Sequence, residues 1–202
     1  NPSRTALLTG LRPSTTGIYN NDQYWKPNVP DAVTIPMYFK KHGYETAGAG
    51  KIFHHVAGYN PPDQWDEFFI QVFDDPWYRR LEWYPWVKKI PNPPGHPFNG
   101  LDNFQGEFDW GVLPGQGDDD YGDAKAVDFA VDFLKKKHEK PFFLAVGLWH
   151  PHIPMFAPQK YFDMYPKERV RIPEVTGNDL DDVPPMGQKF AAARREEHER
   201  IV

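Results

Sequence analysis

Apolar and polar positions recur along this chain on two different periods, and the change of period marks its elements. Over residues 121–137, Val127, Ala130, Val131 and Leu134 are spaced three and four apart. That spacing predicts an amphipathic helix with these residues inward, and Lys135, Lys136 and Lys137 suit the negative end of its dipole. The next run, Pro141 to Leu148, has no polar side chain. It predicts a central strand of a parallel sheet, covered on both faces. Tyr44 to Gly50 predicts a second strand, whose small residues suit close packing. Strand 44–50, helix 121–137 and strand 141–148 fit a right-handed β-α-β crossover with a long insertion. Two strands of central type make no stable sheet by themselves, so further strands are expected from sequence outside this chain.

Turn and cap residues supply the remaining boundaries. Pro2 to Thr9 predicts a short helix, with Pro in its first turn and Gly10 in the left-handed closing position. Residues 11–33 are polar and interrupted by Pro13, Gly17, Pro27 and Pro30, which predicts loop. Thr34 caps a second helix that carries Pro36 in its first turn and ends at His42 and Gly43. Residues 53–120 show no sustained period but hold Trp65, Trp77, Trp83, Trp86 and Trp110, as expected of a packed, ordered insertion. Residues 151–187 are proline-rich, with one short helix near Gln159–Tyr165, and Gln188–Val202 has a charged helical pattern.

At 202 residues the chain has the length of about one domain. Composition narrows its classes of function. Lys and Arg number 23 against 28 Asp and Glu, a net charge of −5. This excludes a general polyanion-binding surface but leaves room for a local basic pocket. A hydrophobic share of 40% and an aromatic share of 16% exclude disorder by composition, even at a mean hydropathy of −0.70. Sixteen Gly and 22 Pro point to a loop-rich globular structure. With no Cys, the stretch carries no disulfide, zinc thiolate or thiol nucleophile. No apolar run approaches the roughly 20 residues of a membrane-spanning helix.

Three clusters have the makings of chemistry. Pro2-Ser3-Arg4 opens a helix, where free N–H groups and an Arg can meet an anion. An ordinary capped helix with a surface Arg is the plainer account. Gly50-Lys51-Ile52-Phe53-His54-His55 follows a predicted strand, and ligand sites of open α/β sheets lie at strand C-termini. Lys51 and His54 could hold an oxyanion and move a proton. Trp149-His150-Pro151-His152-Ile153-Pro154 follows the apolar strand in the same way. Without neighbouring carboxylates, its histidines favour acid–base work over metal binding. Asp118, Asp119 and Asp120 are expected to cap the helix that follows them, and Asp179, Asp181 and Asp182 to form a solvated turn. The tryptophans of 65–110 suit either a sugar platform or a hydrophobic cluster under a long loop.

Taken together, these clusters resemble the type I, formylglycine-dependent sulfatases of the alkaline-phosphatase-like superfamily. That signature is Cys or Ser, any residue, Pro-Ser-Arg, and then Thr-Gly a few residues on; this chain reads Asn1-Pro2-Ser3-Arg4 and Thr9-Gly10. Leu11-Arg12-Pro13-Ser14-Thr15-Thr16, Tyr24-Trp25, Thr34 to Lys40, Gly50 to His54 and Pro151-His152-Ile153-Pro154 follow the order of the iduronate-2-sulfatase branch and its bacterial relatives. The resemblance implies an α/β fold, part of an α/β/α sandwich around a mainly parallel sheet that is incomplete in this chain. It implies that residues 1–202 are an internal fragment of the N-terminal catalytic domain, starting just after the nucleophile, with a loop-rich insertion at about 53–120. By the same resemblance Arg4 would hold the formylglycine, formed from a Cys or Ser immediately before Asn1. Lys51 would bind the sulfate, His54 would lie beside the formylglycine hydroxyls, and His152 would face the leaving oxygen. A calcium ion would be held by ligands outside this chain, and a formylglycine-generating enzyme would mature the protein. The substrate would be a sulfated sugar and the location extracytoplasmic. A phosphate- or phosphonate-ester hydrolase of the same superfamily, and a non-catalytic glycan-binding module, are the alternatives.

Overall fold

The computed structural model describes residues 1–21, 23–54, 60–70, 109–152, 154–171, 173–174 and 176–191. They fall into two compact units, Asn1–Phe162 and Asp163–Val202. The first holds a three-stranded parallel sheet in the order β2-β1-β4, with β1 at Glu45–Gly50, β2 at Glu67–Phe69 and β4 at Phe142–Gly147. A second, two-stranded parallel ladder joins β3, Trp110–Gly111, to β5, Met155–Phe156.

Helices cover both faces of the three-stranded sheet. Phe142 and Phe143 are consecutive on β4 and therefore point to opposite faces. Phe143 stacks on Phe39 at 4.8 Å, in helix α3, Ile35–Lys41. Phe142 meets Phe133 at 5.3 Å, in helix α4, Gly122–Lys135. The α/β/α arrangement follows from that alternation. On the α3 side lies the main core of Leu8, Ile18, Trp25, Phe53 and Trp65, with Phe68, Phe143 and Ala145 packed against it. Each of the larger side chains there contributes about 2–3 kcal/mol on burial. The small residues of β1 make this possible, because a Cβ on Gly48 would lie 2.7 Å from the Phe68 ring.

Caps act where the sequence places them. Helix α1, Pro2–Thr9, ends on Gly10 at φ 72°, and the Gly10 N–H donates to Ala6 O. The Thr34 hydroxyl accepts from the Met37 N–H at the start of α3. A one-turn helix α2, Pro13–Thr16, closed by Gly17 at φ 72°, lies in the stretch expected to be loop. Strands β2 and β3 lie at the two ends of the aperiodic insertion, too short for a two-residue period to register.

Helix α4 turns a different face inward from the one the spacing suggested. Gly122, Ala126, Ala130 and Phe133 are buried, whereas Val127, Val131 and Leu134 are exposed. Two stripes of the same period lie side by side on this helix. The stripe of small residues lets α4 approach Ala47 and Ala49 of β1, which are fully buried. The expected helix cap also moves. Asp118–Asp120 form a separate 3-10 turn, in which the Gly117 N–H donates to Asp120 at 2.7 Å. Tyr121 occupies the N-cap position, and Asp123 is the acidic residue of the first turn. Strand β4 pairs on one side with β1 and, among the described residues, has no second neighbour; Phe142, Val146 and Leu148 are exposed.

Helix α5 covers Gln159–Met164. The second unit contains a 3-10 turn at Lys167–Arg169, exposed turns around 176–183 that carry Asp179, Asp181 and Asp182, and a helical stretch over 185–191. Gln188 ties that stretch to the preceding turn by donating to Leu180 O and Val183 O. The charged helical pattern beyond residue 191 lies outside the described residues.

Candidate active site at the ends of β1 and β4

Helix α1 points its first turn at the C-terminal end of the sheet. Its start is anchored by Asn1, whose side-chain Nδ2 donates to Gln23 O at 2.6 Å and whose side-chain Oδ1 accepts from the Thr5 hydroxyl at 3.2 Å. From that turn Arg4 reaches across to the segment after β1. Its Nη1 donates to Lys51 O at 2.5 Å and to Ile52 O at 3.0 Å. Half-buried there, Arg4 has its pKa lowered by desolvation but stays a cation at neutral pH.

The ends of β1 and β4 are drawn together by a glycine contact. The Lys51 N–H donates to Gly147 O at 2.7 Å. A Cβ on Gly147 would lie 2.1 Å from Lys51 O, so only glycine fits at this approach. Beyond Gly147 the chain brings Trp149 beneath Lys51, whose ammonium lies 3.9 Å from the ring centroid. The same indole packs on His152, with ring centroids 4.7 Å apart. A buried aromatic face is a favourable seat for a cation. His54 is buried on the β1 side, next to Phe53, which stacks on Trp25 at 5.6 Å and pins the segment to the core.

Arg4, Lys51, Trp149 and His152 are thus linked by direct contacts, although they come from three separate parts of the chain. The arrangement joins a guanidinium and an ammonium, which suit a spread negative charge, to an imidazole that can carry a proton. His54 lies three residues after Lys51 and is buried. His55 and Ile153 lie outside the described residues, as do Trp77, Trp83 and Trp86. Trp65 is a core residue and so is no exposed sugar platform, whereas Trp110 is half-buried in β3. Among the described residues no three His, Asp or Glu side chains gather into a metal site.

Sequence reasoning passed over Asp123. Its Oδ1 accepts from the Trp149 N–H at 2.6 Å, and its Oδ2 accepts from the His150 N–H at 3.0 Å and meets His150 Nδ1 at 2.6 Å. Burial raises the pKa of this carboxyl, but the hydrogen bonds from His150 and Trp149 outweigh it and hold the value below the ordinary one. In sequence, an acidic residue in a helix's first turn is explained by the dipole alone, and nothing local signals a partner 27 positions away. The His150–Pro151 peptide bond between these partners and His152 is cis.

Comparisons with known proteins converge on one family. A family model described as Sulfatase matches residues 1–185. A sulfatase of Formosa agariphila is 38% identical over 200 residues, covering 94% of this chain and 37% of that protein. Human iduronate 2-sulfatase is 34% identical over 197 residues, covering 92% of this chain and 32% of that protein. The chain thus spans about a third of the length of these curated relatives. Among solved structures, a phosphonate monoester hydrolase of Agrobacterium radiobacter superposes with a TM-score of 0.52 at 16% identity, covering 85% of this chain and 35% of that one. This last likeness concerns the fold, which is the alkaline-phosphatase-like α/β architecture.

Proposed function

The chain belongs to the sulfatase family, and from that premise we propose that the full-length protein hydrolyses sulfate esters of a sulfated sugar. An iduronate-2-sulfatase-like substrate is the finer form of the proposal, supported by the human relative. Residues 1–202 would then be part of the N-terminal catalytic domain. The observation that carries the reading is the contact chain Arg4–Lys51–Trp149–His152 at the C-terminal ends of adjacent parallel strands.

The roles that the family resemblance implies suit the chemistry of each residue. A sulfate ester spreads negative charge over its oxygens, and more charge collects on the bridging oxygen as the S–O bond breaks. Lys51, held over Trp149, offers a fixed ammonium to the sulfate oxygens. Arg4 braces the Lys51 backbone through Nη1 and has further N–H donors for an anion at the start of α1. His152 is the acid that hands a proton to the leaving alcohol oxygen, because an alkoxide leaves poorly at neutral pH. His54, on the loop of Lys51, accepts a proton as sulfate departs. In this family reading a formylglycine would supply the nucleophilic hydroxyl, and a calcium ion would supply further positive charge for the sulfate. Arg4, on the first turn of α1, would be the residue of this chain that holds the first group. The described residues of this chain do not form a calcium site, so its ligands would come from elsewhere in the protein. The proposal includes maturation by a formylglycine-generating enzyme and an extracytoplasmic location. Among the described residues no helix is long and apolar enough to cross a membrane.

The test is turnover by the full-length protein. Expected is hydrolysis of an aryl sulfate and release of sulfate from sulfated uronic-acid oligosaccharides. Lys51→Ala and His152→Ala should each lower kcat/KM by about a hundredfold or more. Turnover of aryl phosphates or phosphonates with none of sulfates would assign the protein to the phosphoryl branch of the same fold. Sugar binding without turnover would make it a glycan-binding module.

A further inference from the structure

We propose that Asp123 is a positioning residue of this site, a carboxylate strap that holds the turn after β4 so that the Trp149 ring meets both Lys51 and His152. The inference rests on the sulfatase reading for its kinetic arm alone.

A first-turn acid that only complements a helix dipole is solvated. Asp123 is instead largely withdrawn from solvent, with 18% of its side chain exposed. Its two oxygens serve another element altogether. One takes the Trp149 N–H; the other takes the His150 N–H and the imidazole at Nδ1. Two successive peptide N–H groups bound by one carboxylate fix the two peptide planes that meet at the Trp149 Cα. Those two planes set the direction of the Trp149 Cα–Cβ bond. Hydrogen bonds to a charged acceptor are shorter and roughly twice as strong as neutral ones, so the strap is stiff. The carboxylate also requires that His150 Nδ1 carry the proton, which explains a histidine here without a part in the reaction. Two residues earlier, Gly147 O is held by the Lys51 N–H. The turn is therefore tied to β1 before Trp149 and to α4 at Trp149 and His150. With both ties in place, the indole is 3.9 Å from the Lys51 ammonium and 4.7 Å, centroid to centroid, from the His152 ring. Releasing the second tie lets Trp149 turn, and both of its partners lose their common support.

The experiment compares full-length wild type with Asp123→Asn and Asp123→Ala, and with Asp128→Asn, an exposed carboxylate on the same helix, as control. With an aryl sulfate as probe, both Asp123 variants are expected to lose about ten- to a hundredfold in kcat, with KM changed less than about threefold. Asp128→Asn should match wild type. A role in folding alone would lower the amount of active enzyme and leave its turnover per active site unchanged, so kcat is referred to titrated active sites. Amide hydrogen exchange supplies an arm independent of turnover. Trp149 and His150 N–H should be protected in wild type and exchange faster in both variants, while the amides of Leu144 to Val146 stay protected. Nitrogen NMR of His150 should show the Nδ1-protonated form in wild type and lose it in Asp123→Asn. Unchanged kcat, or unchanged protection at Trp149 and His150, overturns the inference. If the wild type turns over no sulfate ester, the functional reading fails and exchange and NMR still decide the strap.

Discussion

At the scale of single residues, glycine controls the site more sharply than any charged group. Gly147 has no conformational reason to be glycine, since it lies within a regular strand. Its reason is the Lys51 carbonyl, which a Cβ would meet at 2.1 Å. Backbone cannot yield as a side-chain tip can, so the strands must part and carry Lys51 and the Arg4 bonds with them. Gly147→Ala is expected to destabilise the fold by about 1–3 kcal/mol and to lower kcat/KM of the full-length protein more than stability explains. Gly177→Ala, where nothing lies within 4 Å, is the neutral control. Urea titration and kinetics on both variants check this, and a Gly147→Ala protein with wild-type stability and turnover would refute the close contact. Such a constraint was not legible in sequence, where Gly147 is one small residue in an apolar run. Gly10 was legible, because a left-handed helix end has a local signature. Motif singled out Arg4, Lys51, His54 and His152 as candidates, and the roles proposed for them rest on that resemblance. The resemblance also leads one to expect them close together, and the structure links Arg4, Lys51 and His152 through Trp149; Asp123 and the Lys51–Trp149 contact came from geometry alone.

Among elements, the crossover strands and their helix were readable because hydrophobic period and caps are local properties. The inward face of α4 was misread, because its two stripes obey the same period. What separates them is the small size of Gly122, Ala126 and Ala130 against Ala47 and Ala49, a fact about the sheet and not about the helix. The junction after α4 has its own chemistry. His138 Nδ1 meets the Glu45 carboxylate at 2.8 Å and its Nε2 meets Phe133 O at 2.8 Å. Two acceptors are both met only by two donors, so the fold favours the imidazolium over the neutral ring. The Glu45 hydrogen bond is the largest cause raising the pKa of His138 above the ordinary 6.5; desolvation opposes it, and the Phe133 bond adds to it. The folded form therefore binds more protons than the unfolded form above that value. The stabilisation is complete below pH 6.5 and is lost as pH rises through the raised folded pKa. Urea midpoints measured across this range should fall with pH in wild type and lose that component in His138→Gln. Parallel curves for the two proteins would show that the contact carries no linkage.

On the scale of the whole molecule, exposed apolar side chains among the described residues gather beside one open strand edge. Val127, Val131 and Leu134 line the outer face of α4, and Phe142, Val146 and Leu148 line the strand beside it. The second edge of β4 has no partner strand among the described residues. In sequence the unbroken run Phe142–Leu148 demanded cover on both faces, and what supplies it was not legible because cover is a property of the assembled sheet. Among the described residues that demand is only partly met. Open strand edges flanked by apolar side chains favour association. The isolated chain 1–202 is therefore expected to form oligomers or aggregates at micromolar concentration, and to show no aryl sulfatase activity above a His152→Ala control. Light scattering after size exclusion provides the measurement. Val131→Lys with Leu148→Lys should reduce association without unfolding the sheet, since both side chains are exposed. If these residues are the cause, the double variant elutes closer to a monomer and keeps protected amides in β1. A wild-type chain that elutes as a single monomer, with slow exchange throughout 142–148, would show that the α4–β4 face needs no partner and that the fold closes on itself.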